Sequence, residues 1–499
     1  MILVLVVYYA VPGRFQNAFL LIASYVYYMW QMPRYGIISA VLTLFSYGLA
    51  FLIARSAGKK KGWVLAGGII VLAGILFVYK YLSFTLSVFA DITGREPPVL
   101  KLMMPLGISF YIFQMIGYLI DVFHEKLAPE RDIVKYALFV SFFPQILSGP
   151  IGRATELLPQ YGEARRFEYL NVTEGMRRFL CGAARKIVVA DGIGILVDSV
   201  YREPGSVGGL AAVLATLLYS VQLYFDFSGY SEMAIGSAKM LGITLRENFK
   251  APYFAVSMSD FWRRWHISLT SWLEDYIFIP LVWSRWWDKV FFRKTMDERK
   301  PSVLINILII FIISGIWHGA GWNYIIWGSL QGIYRIIEEL IQKKHKRKKL
   351  KDMNRFEIFA HRAKVFVLWS ISLVFFRTAT LTDAASIFMS FARGPWSPVQ
   401  VFRHFMNVSA IGIDGAGISY YLVFWGFLTA VLAVLARLDG RLNASLRGKK
   451  AEGIKDTLAL MTTKKRWAVY VLFEIAAVIF YIITATASNG TVSFIYFGY

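Results

Sequence analysis

The sequence predicts an all-α integral membrane protein. Hydrophobic residues make up 57% of the 499 positions, and the mean hydropathy of +0.51 lies outside the range of soluble globular domains. Apolar stretches of roughly the length that crosses ~30 Å of hydrocarbon recur along the chain. The alternating ten-residue segments of a membrane barrel do not occur. These three observations together indicate a helical fold.

Twelve apolar stretches are candidate membrane spans, and several of them are short or contain Gly and Pro. Such segments can enter the membrane and return, or stop half-way, where protein covers their backbone. We therefore expect about eleven transmembrane helices together with re-entrant or interfacial ones. The candidates are 15–30, 36–54, 63–80, 102–120, 133–147, 179–200, 208–226, 302–317, 322–341, 362–377, 418–436 and 467–486.

The charge of the chain is concentrated in loops. Lys and Arg outnumber Asp and Glu by 54 to 32, and the excess lies in three basic loops, 54–62, 343–351 and 447–467. Short basic loops of membrane proteins stay in the cytoplasm. We therefore interpret the positive charge as a topology signal that also contacts anionic lipid, and not as a nucleic-acid-binding surface. The single cysteine, Cys181, has no partner for a disulfide or a thiolate metal site. The N-terminal residues lack the features of a cleaved signal peptide.

This topology gives an orientation for the rest of the chain. With the basic loops inside, the stretch 302–317 runs outward and His318 falls in the outer half of the membrane. The aromatic tail 487–499 then lies on the extracytoplasmic side. We expect residues 1–499 to form one polytopic domain.

Residues 246–300 differ in kind from the spans because tryptophans mix there with Arg and Asp, as in helices at the membrane interface. Helical spacing of the aromatic residues predicts one helix, with Ser259 or Asp260 as N-cap and His266 one turn after Trp262. Six of the fifteen tryptophans lie here: Trp262, Trp265, Trp272, Trp283, Trp286 and Trp287.

Two of the six histidines, His266 and His318, stand in apolar, aromatic sequence. An ionisable group inside a span is a candidate for function, although a histidine can also tie helices together by a hydrogen bond. The glycines around His318 permit close backbone approach and favour a lined cavity; they are Gly315, Gly319, Gly321 and Gly328. A neutral imidazole can take a proton from an attacking hydroxyl. Metal binding is the weaker interpretation, because neither histidine has a ligand at i+3 or i+4.

Four ordered motifs make the chain resemble the membrane-bound O-acyltransferases, in the branch that includes alginate and peptidoglycan O-acetylation proteins and, more distantly, the D-alanyl transfer protein of teichoic acids. The motifs are "SFFPQILSGPIGRATELLPQ", "QLYFDFSGYSEMAIGSAKMLGI", "DFWRRWHISLTSWLEDYIFIPL" and "GIWHGAGWNYIIWG". The resemblance implies a ring of tilted helices around a tunnel, with the acyl donor entering from the cytosol and the acceptor from outside. His318 matches the family's catalytic histidine, and His266 matches its second conserved position.

The resemblance also implies roles for other residues. Tyr496 in the tail matches a tyrosine proposed to carry the acyl group. The alternative is that Tyr496, Phe497 and Tyr499 only anchor the tail at the interface, and Tyr499 at the very end of the chain confounds the match. The expected tunnel residues are Trp262, Arg263, Trp265, Trp317 and Asn323, with Asp226 and Tyr230 orienting the core.

The predicted function is O-acetylation of an extracytoplasmic polysaccharide from cytosolic acetyl-CoA, in the inner membrane of a bacterium. His318 is the expected base, and His266 orients groups or handles protons. No permanently bound cofactor, metal or nucleic acid is expected. The expected partner is a separate extracytoplasmic acetyltransferase of the SGNH type, with a Ser-His-Asp site. Two alternatives stay open: transfer of D-alanine or another acyl group from a carrier protein, and a glycan or lipid transporter in which the histidines gate.

Overall fold

Helices form the regular structure of the residues described by the computed structural model, which are 1–30, 33–98, 100, 102–284, 300–344, 352–401, 404 and 405. No strand occurs among them. The predicted spans 418–436 and 467–486 lie outside these residues, and so does the tail 487–499.

The first eight helices precede residue 161, and most of them follow the predicted apolar stretches. The stretch 133–147 gives only a short helix, because Pro144 follows its last turn; the Asp132 carboxylate caps its start by accepting from Val134 N at 2.9 Å. The helices are α1 (Ile2–Ala10), α2 (Gly13–Met29), α3 (Pro33–Arg55), α4 (Gly58–Lys80), α5 (Leu82–Thr93), α6 (Ile108–Phe123), α7 (Ile133–Ser141) and α8 (Ala154–Gln160).

The middle of the chain contains one long helix and several broken ones. The helix α9 continues through a π-helical stretch, Arg185–Ala190, into α10, and a second π-helical stretch, Glu274–Phe278, separates α13 from α14. The helices are α9 (Tyr169–Ala184), α10 (Asp191–Tyr201), α11 (Leu210–Met240), α12 (Met258–Trp262), α13 (Ile267–Leu273) and α14 (Ile279–Val282).

The π-helical stretch Glu274–Phe278 and α14 are followed by the helices α15 (Lys300–His318), α16 (Trp322–Lys344), α17 (Arg355–Arg377) and α18 (Leu381–Ala392). The helices α15 and α16 form a tight hairpin. A Cβ on Gly315 would stand 2.3 Å from Tyr324 O, and one on Gly328 would stand 2.3 Å from Phe311 O. Glycine at both positions lets the two backbones touch, as the sequence predicted.

Four described helices, α3, α4, α11 and α17, are long and apolar enough to cross a membrane by length and composition. Shorter apolar helices accompany them: α5, α6, residues 303–318 of α15, and α18. These findings fit a multi-pass membrane protein. The ring of about eleven helices stays a prediction.

The helices α4 and α6 run antiparallel. Lys61, near the start of α4, contacts Glu125, just after the end of α6, with 2.7 Å between Nζ and Oε1. At the opposite end, Lys80 is the last residue of α4, and it lines the same cavity as Ser109 in the first turn of α6. The same end of the molecule therefore contains Lys80 and the start of α6.

The buried side chains form two hydrophobic cores. The first joins α1 to α4 and α6 to α8 with α13 and the end of α11, and it reaches Trp317 at the end of α15. The second joins α10, α11 and α12 with α16, α17 and α18, and includes Trp262 and Trp327. The end of α15 lies where the two cores meet.

Candidate active site

The helix predicted through the tryptophan-rich segment is interrupted at His266. The prediction of one continuous helix is wrong: α12 ends at Trp262, and α13 begins at Ile267. His266 between them has φ 45° and ψ 50°, a left-handed conformation that few residues other than glycine adopt. Such strain persists only where surrounding contacts enforce it, and it is common at functional sites.

The N-cap of α12 is Ser257, and the prediction of Ser259 or Asp260 is wrong. The Ser257 hydroxyl accepts a hydrogen bond from Asp260 N at 3.0 Å. The Glu338 carboxylate, near the end of α16, accepts two more from Met258 N and Ser259 N, at 3.2 and 2.9 Å. Backbone donors at the start of this short helix are thereby satisfied, and α12 is fixed against α16.

Asn248 holds His266 in its unusual conformation. The backbone carbonyl oxygen of Asn248 accepts a hydrogen bond from Ile267 N at 3.0 Å. The side-chain oxygen, Oδ1, accepts one from Ser268 N at 3.2 Å. Because a backbone N–H can only donate, this contact identifies Oδ1 as an acceptor. The same oxygen lies 3.2 Å from His266 Nδ1. Nδ1 must therefore carry the proton, and in the neutral ring Nε2 is the acceptor nitrogen.

His318 is the last residue of α15 and is 7% exposed. Its ring meets Trp317 from the first core, with 4.9 Å between ring centroids, and Trp327 and Phe376 from the second core, at 5.1 and 5.3 Å. Aromatic rings from both cores therefore contact the imidazole at the junction of the cores.

The structure brings the two histidines together although they are far apart in sequence. Their ring centroids are 6.4 Å apart, and His266 is 1% exposed. Trp317 contacts both, at 5.9 Å from His266. His266 also contacts Phe227, with 4.7 Å between the ring centroids. The pair thus forms one buried site that two reacting groups could share.

Lys80 is a component of this site that sequence reasoning missed. Its ammonium donates to Trp317 O at 2.5 Å and His318 O at 3.2 Å, across 237 and 238 positions of chain. Together with His318, Trp317 and the first turn of α6, it lines a cavity of about 50 Å³. The only sequence signal was a lysine at the end of an apolar stretch, which ordinarily indicates an interfacial residue.

The aromatic residues predicted to line a tunnel lie close to the pair, but the tunnel itself stays a prediction. Trp262 packs between α15 and α16, with its ring 5.0 Å from Phe311 and 6.1 Å from Trp327. Trp265 packs on Trp369 at 4.9 Å.

Two polar candidates lie elsewhere. Arg263 is exposed at the end of α12. The Asn323 amide donates to Thr378 O at 2.6 Å, which joins the start of α16 to the end of α17. This contact fixes α17, which carries Phe376, against α16, which packs on α15.

Asp226 belongs to a buried ion cluster. Lys186 Nζ lies 2.7 Å from Asp226 Oδ1 and 2.6 Å from Asp191 Oδ1. This cluster joins α11 to the π-helical stretch, and the role of Asp226 in orienting the core stays a prediction. Tyr230, one turn further along α11, hydrogen-bonds Ser148.

Tyr496 lies outside the described residues, and so does Tyr499. In the described part of the chain, no group of three or more His, Cys, Asp or Glu side chains is placed to hold a metal ion.

The family model described as membrane-bound O-acyltransferase matches residues 125–378, which contain both histidines. The chain belongs to this family. It is therefore an acyltransferase, and the buried histidine pair is its candidate active site.

Similar proteins include O-acetylation and D-alanylation enzymes. A probable alginate O-acetylase of Pseudomonas putida is 35% identical over 406 residues, covering 79% of each chain. A peptidoglycan O-acetyltransferase of Helicobacter pylori is 34% identical, covering 65% of this chain and 64% of its own. A teichoic acid D-alanyltransferase of Bacillus subtilis is 28% identical, covering 61% of this chain and 75% of its own.

Proposed function

We propose that the protein is an O-acetyltransferase of the bacterial cytoplasmic membrane. It takes acetyl from cytosolic acetyl-CoA and delivers it across the membrane for O-acetylation of an extracytoplasmic polysaccharide. The relatives named for alginate and peptidoglycan O-acetylation support the acetyl group and the glycan acceptor. The observation that carries the proposal is the buried pair of His266 and His318, 6.4 Å apart between ring centroids.

His318 is the base in this proposal. As a hydroxyl oxygen attacks the thioester carbon, its proton passes to the imidazole; the C–S bond then breaks, and the thiolate takes the proton back. His266, with Nδ1–H held by Asn248, presents the acceptor nitrogen Nε2 and orients the attacking group. The aromatic surroundings exclude water that would hydrolyse the donor.

The helix arrangement supports the proposed direction of transfer. If the basic loop 54–62 is cytoplasmic, α4 runs outward and Lys80 lies at its outer end. Since Lys80 contacts the end of α15, His318 then lies toward the outside, where the acceptor arrives. Acetyl-CoA approaches from the cytoplasmic side.

The tail supplies the next step of the proposal. Tyr496 accepts the acetyl group on its phenolic oxygen and passes it to a separate extracytoplasmic acetyltransferase of the SGNH type. A phenol, with a pKa near 10, is a better leaving group than a sugar alcohol, so the ester on tyrosine is suited to onward transfer.

The test uses purified protein and radiolabelled acetyl-CoA without acceptor, followed by mass spectrometry of the C-terminal peptide. Wild type, His318→Ala, Tyr496→Phe and the control His124→Ala are compared; His124 is an exposed histidine beyond the end of α6. We expect label on Tyr496 in wild type and in the control, and none in the other two. Label on the tail of His318→Ala contradicts the role of the histidine, and turnover without a labelled tail contradicts the relay.

The same assay separates the two alternatives. If acetyl-CoA is not used and a D-alanyl carrier protein labels the protein, the protein transfers D-alanine from a carrier protein and the acetyl donor is wrong. If the protein moves a glycan or lipid across vesicles after His318→Ala, and no acyl transfer occurs at any stage, the transporter interpretation is correct.

A further inference from the structure

We propose that the cavity beside His318 is an oxyanion-binding site, in which the Lys80 ammonium holds the carbonyl oxygen of the acyl group during transfer. This inference rests on the proposed acyl-transfer function. It assigns a catalytic group to a residue that none of the four family motifs contains.

The first observation is the position of the ammonium. It donates to the carbonyls of Trp317 and His318, the last two residues of α15. It also lies 5.7 Å from the centre of the Trp317 ring, within the range of a cation–π contact. Two backbone carbonyls and a ring therefore fix the charge next to the proposed base.

The second observation is the charge balance. In the part of the chain that the structure describes, no carboxylate lies within ion-pair distance of Lys80. Because its partners are neutral carbonyls, the positive charge of Lys80 is not balanced by an anionic partner and can act on a negative group in the cavity. The ammonium has three N–H donors, and the two carbonyls use two of them, so one is left for a ligand.

The third observation is the cavity. Lys80 and His318 both line it, and its volume is about 50 Å³. A water molecule needs roughly 10–15 Å³ of such space, so the cavity accepts about four atoms of that size. An acetyl group bonded to the attacking or leaving atom has this size, and the cavity places it against a base and a cation at once.

The chemistry follows from this placement. The hydroxyl oxygen forms a bond to the thioester carbon and its proton moves to His318, while the π electrons of the carbonyl move onto the oxygen. The Lys80 N–H stabilises that negative oxygen. The C=O bond then re-forms, the C–S bond breaks, and the thiolate takes the proton from His318. In this step Lys80 acts by charge and hydrogen bonding, and it transfers no proton to the substrate.

Lys80 could instead only clamp the end of α15, and the experiment distinguishes the two roles. Lys80→Met and Lys80→Arg are compared with wild type for kcat and KM with acetyl-CoA and for thermal unfolding. The matched control is Lys59→Met, the same change at an exposed position at the other end of α4. Binding of acetonyl-CoA, a ketone analogue whose carbonyl stays neutral, is measured as well.

An oxyanion role predicts that kcat of Lys80→Met falls about 100-fold or more, with partial recovery in Lys80→Arg. The affinity for acetonyl-CoA should change less than about threefold, because the interaction develops only in the transition state. The control should behave as wild type. An unchanged kcat per folded molecule of Lys80→Met, with or without lower thermal stability, overturns the proposal. So does a loss of acetonyl-CoA binding that accounts for the whole fall in rate.

A different result is expected if acetyl-CoA is not the acyl donor. If wild type releases no thiol from acetyl-CoA, the O-acyl content of polysaccharide from cells expressing each variant replaces the kinetic readout. Loss of O-acylation in Lys80→Met at wild-type protein levels, with retention in Lys59→Met, then supports the oxyanion site. Equal O-acylation in all variants overturns it.

Discussion

His266 Nδ1 and Asn248 Oδ1 lie 3.2 Å apart, and this contact fixes which nitrogen of the histidine carries the proton. The amide oxygen cannot be a flipped amide nitrogen, because Ser268 N donates to the same atom. The Asn248 side-chain nitrogen in turn donates to Ser231 Oγ at 3.2 Å, which ties the segment to α11. Asn248 therefore positions a residue of the candidate active site from 18 positions away.

Asn248→Ala should lower both stability and turnover. It leaves the buried donors of His266 and Ser268 without their acceptor, which costs about 1–3 kcal/mol for each. The freed imidazole can rotate or change tautomer, so we expect kcat per folded molecule to fall at least about tenfold, or ~1.4 kcal/mol. The control is Asn171→Ala, whose side chain donates to Glu168 in an exposed pair. Wild-type kcat in folded Asn248→Ala would show that His266 needs no such positioning.

Gly328→Ala should separate α15 from α16. The added Cβ would lie 2.3 Å from Phe311 O and 3.1 Å from Gly315 Cα, so the hairpin must open and His318 must move. We expect a loss of roughly 1–3 kcal/mol or more in stability and a clear fall in turnover. Gly74→Ala is the control, because a Cβ there meets nothing within 4 Å. Thermal unfolding in detergent and thiol release are the measurements, and equal behaviour of the two variants would refute the packing argument.

The Lys186 cluster should contribute to stability and not to catalysis. Lys186→Met leaves the Asp191 and Asp226 carboxylates without this cation, at a cost of about 3–5 kcal/mol. The double variant Lys186→Met/Asp226→Asn removes one of the stranded charges and should be more stable than the single one. A double-mutant cycle from unfolding curves measures this coupling.

The control for this cluster is Lys126→Met, which removes an exposed lysine 3.7 Å from Asp121 and should cost no more than ~1 kcal/mol. Folded Asp226→Asn should retain wild-type kcat. A variant with normal stability and greatly reduced kcat would instead place Asp226 in the reaction.

The sequence could predict the parts of the fold that depend on local composition. The long apolar stretches predicted α3, α4, α15 and α16 with small errors at their ends. A stretch is long and apolar enough to enter a membrane because of its own residues, so distant contacts are not needed to predict it. The close contact at Gly315 and Gly328 was predicted because only glycine permits it. The helices α5 and α18 were missed because each has only twelve residues.

The geometry of the candidate site depends on contacts between residues that are distant in the sequence, and the spacing of neighbouring residues does not predict such contacts. Trp262 and Trp265 keep helical spacing with Leu269 and Trp272 across His266, so periodicity predicted a continuous helix. The break is enforced by Asn248, whose backbone and side chain bind the residues after His266. Lys80 reaches the end of α15 across more than two hundred positions, and no pattern along the chain indicates such a contact.

The most direct test of the account is the initial rate of thiol release from acetyl-CoA by purified wild type, His318→Ala and His124→Ala, each corrected for its folded fraction. The account predicts that His318→Ala loses at least about 100-fold, the lower range for a general base, while His124→Ala keeps the wild-type rate. A folded His318→Ala protein that releases thiol at the wild-type rate would contradict it.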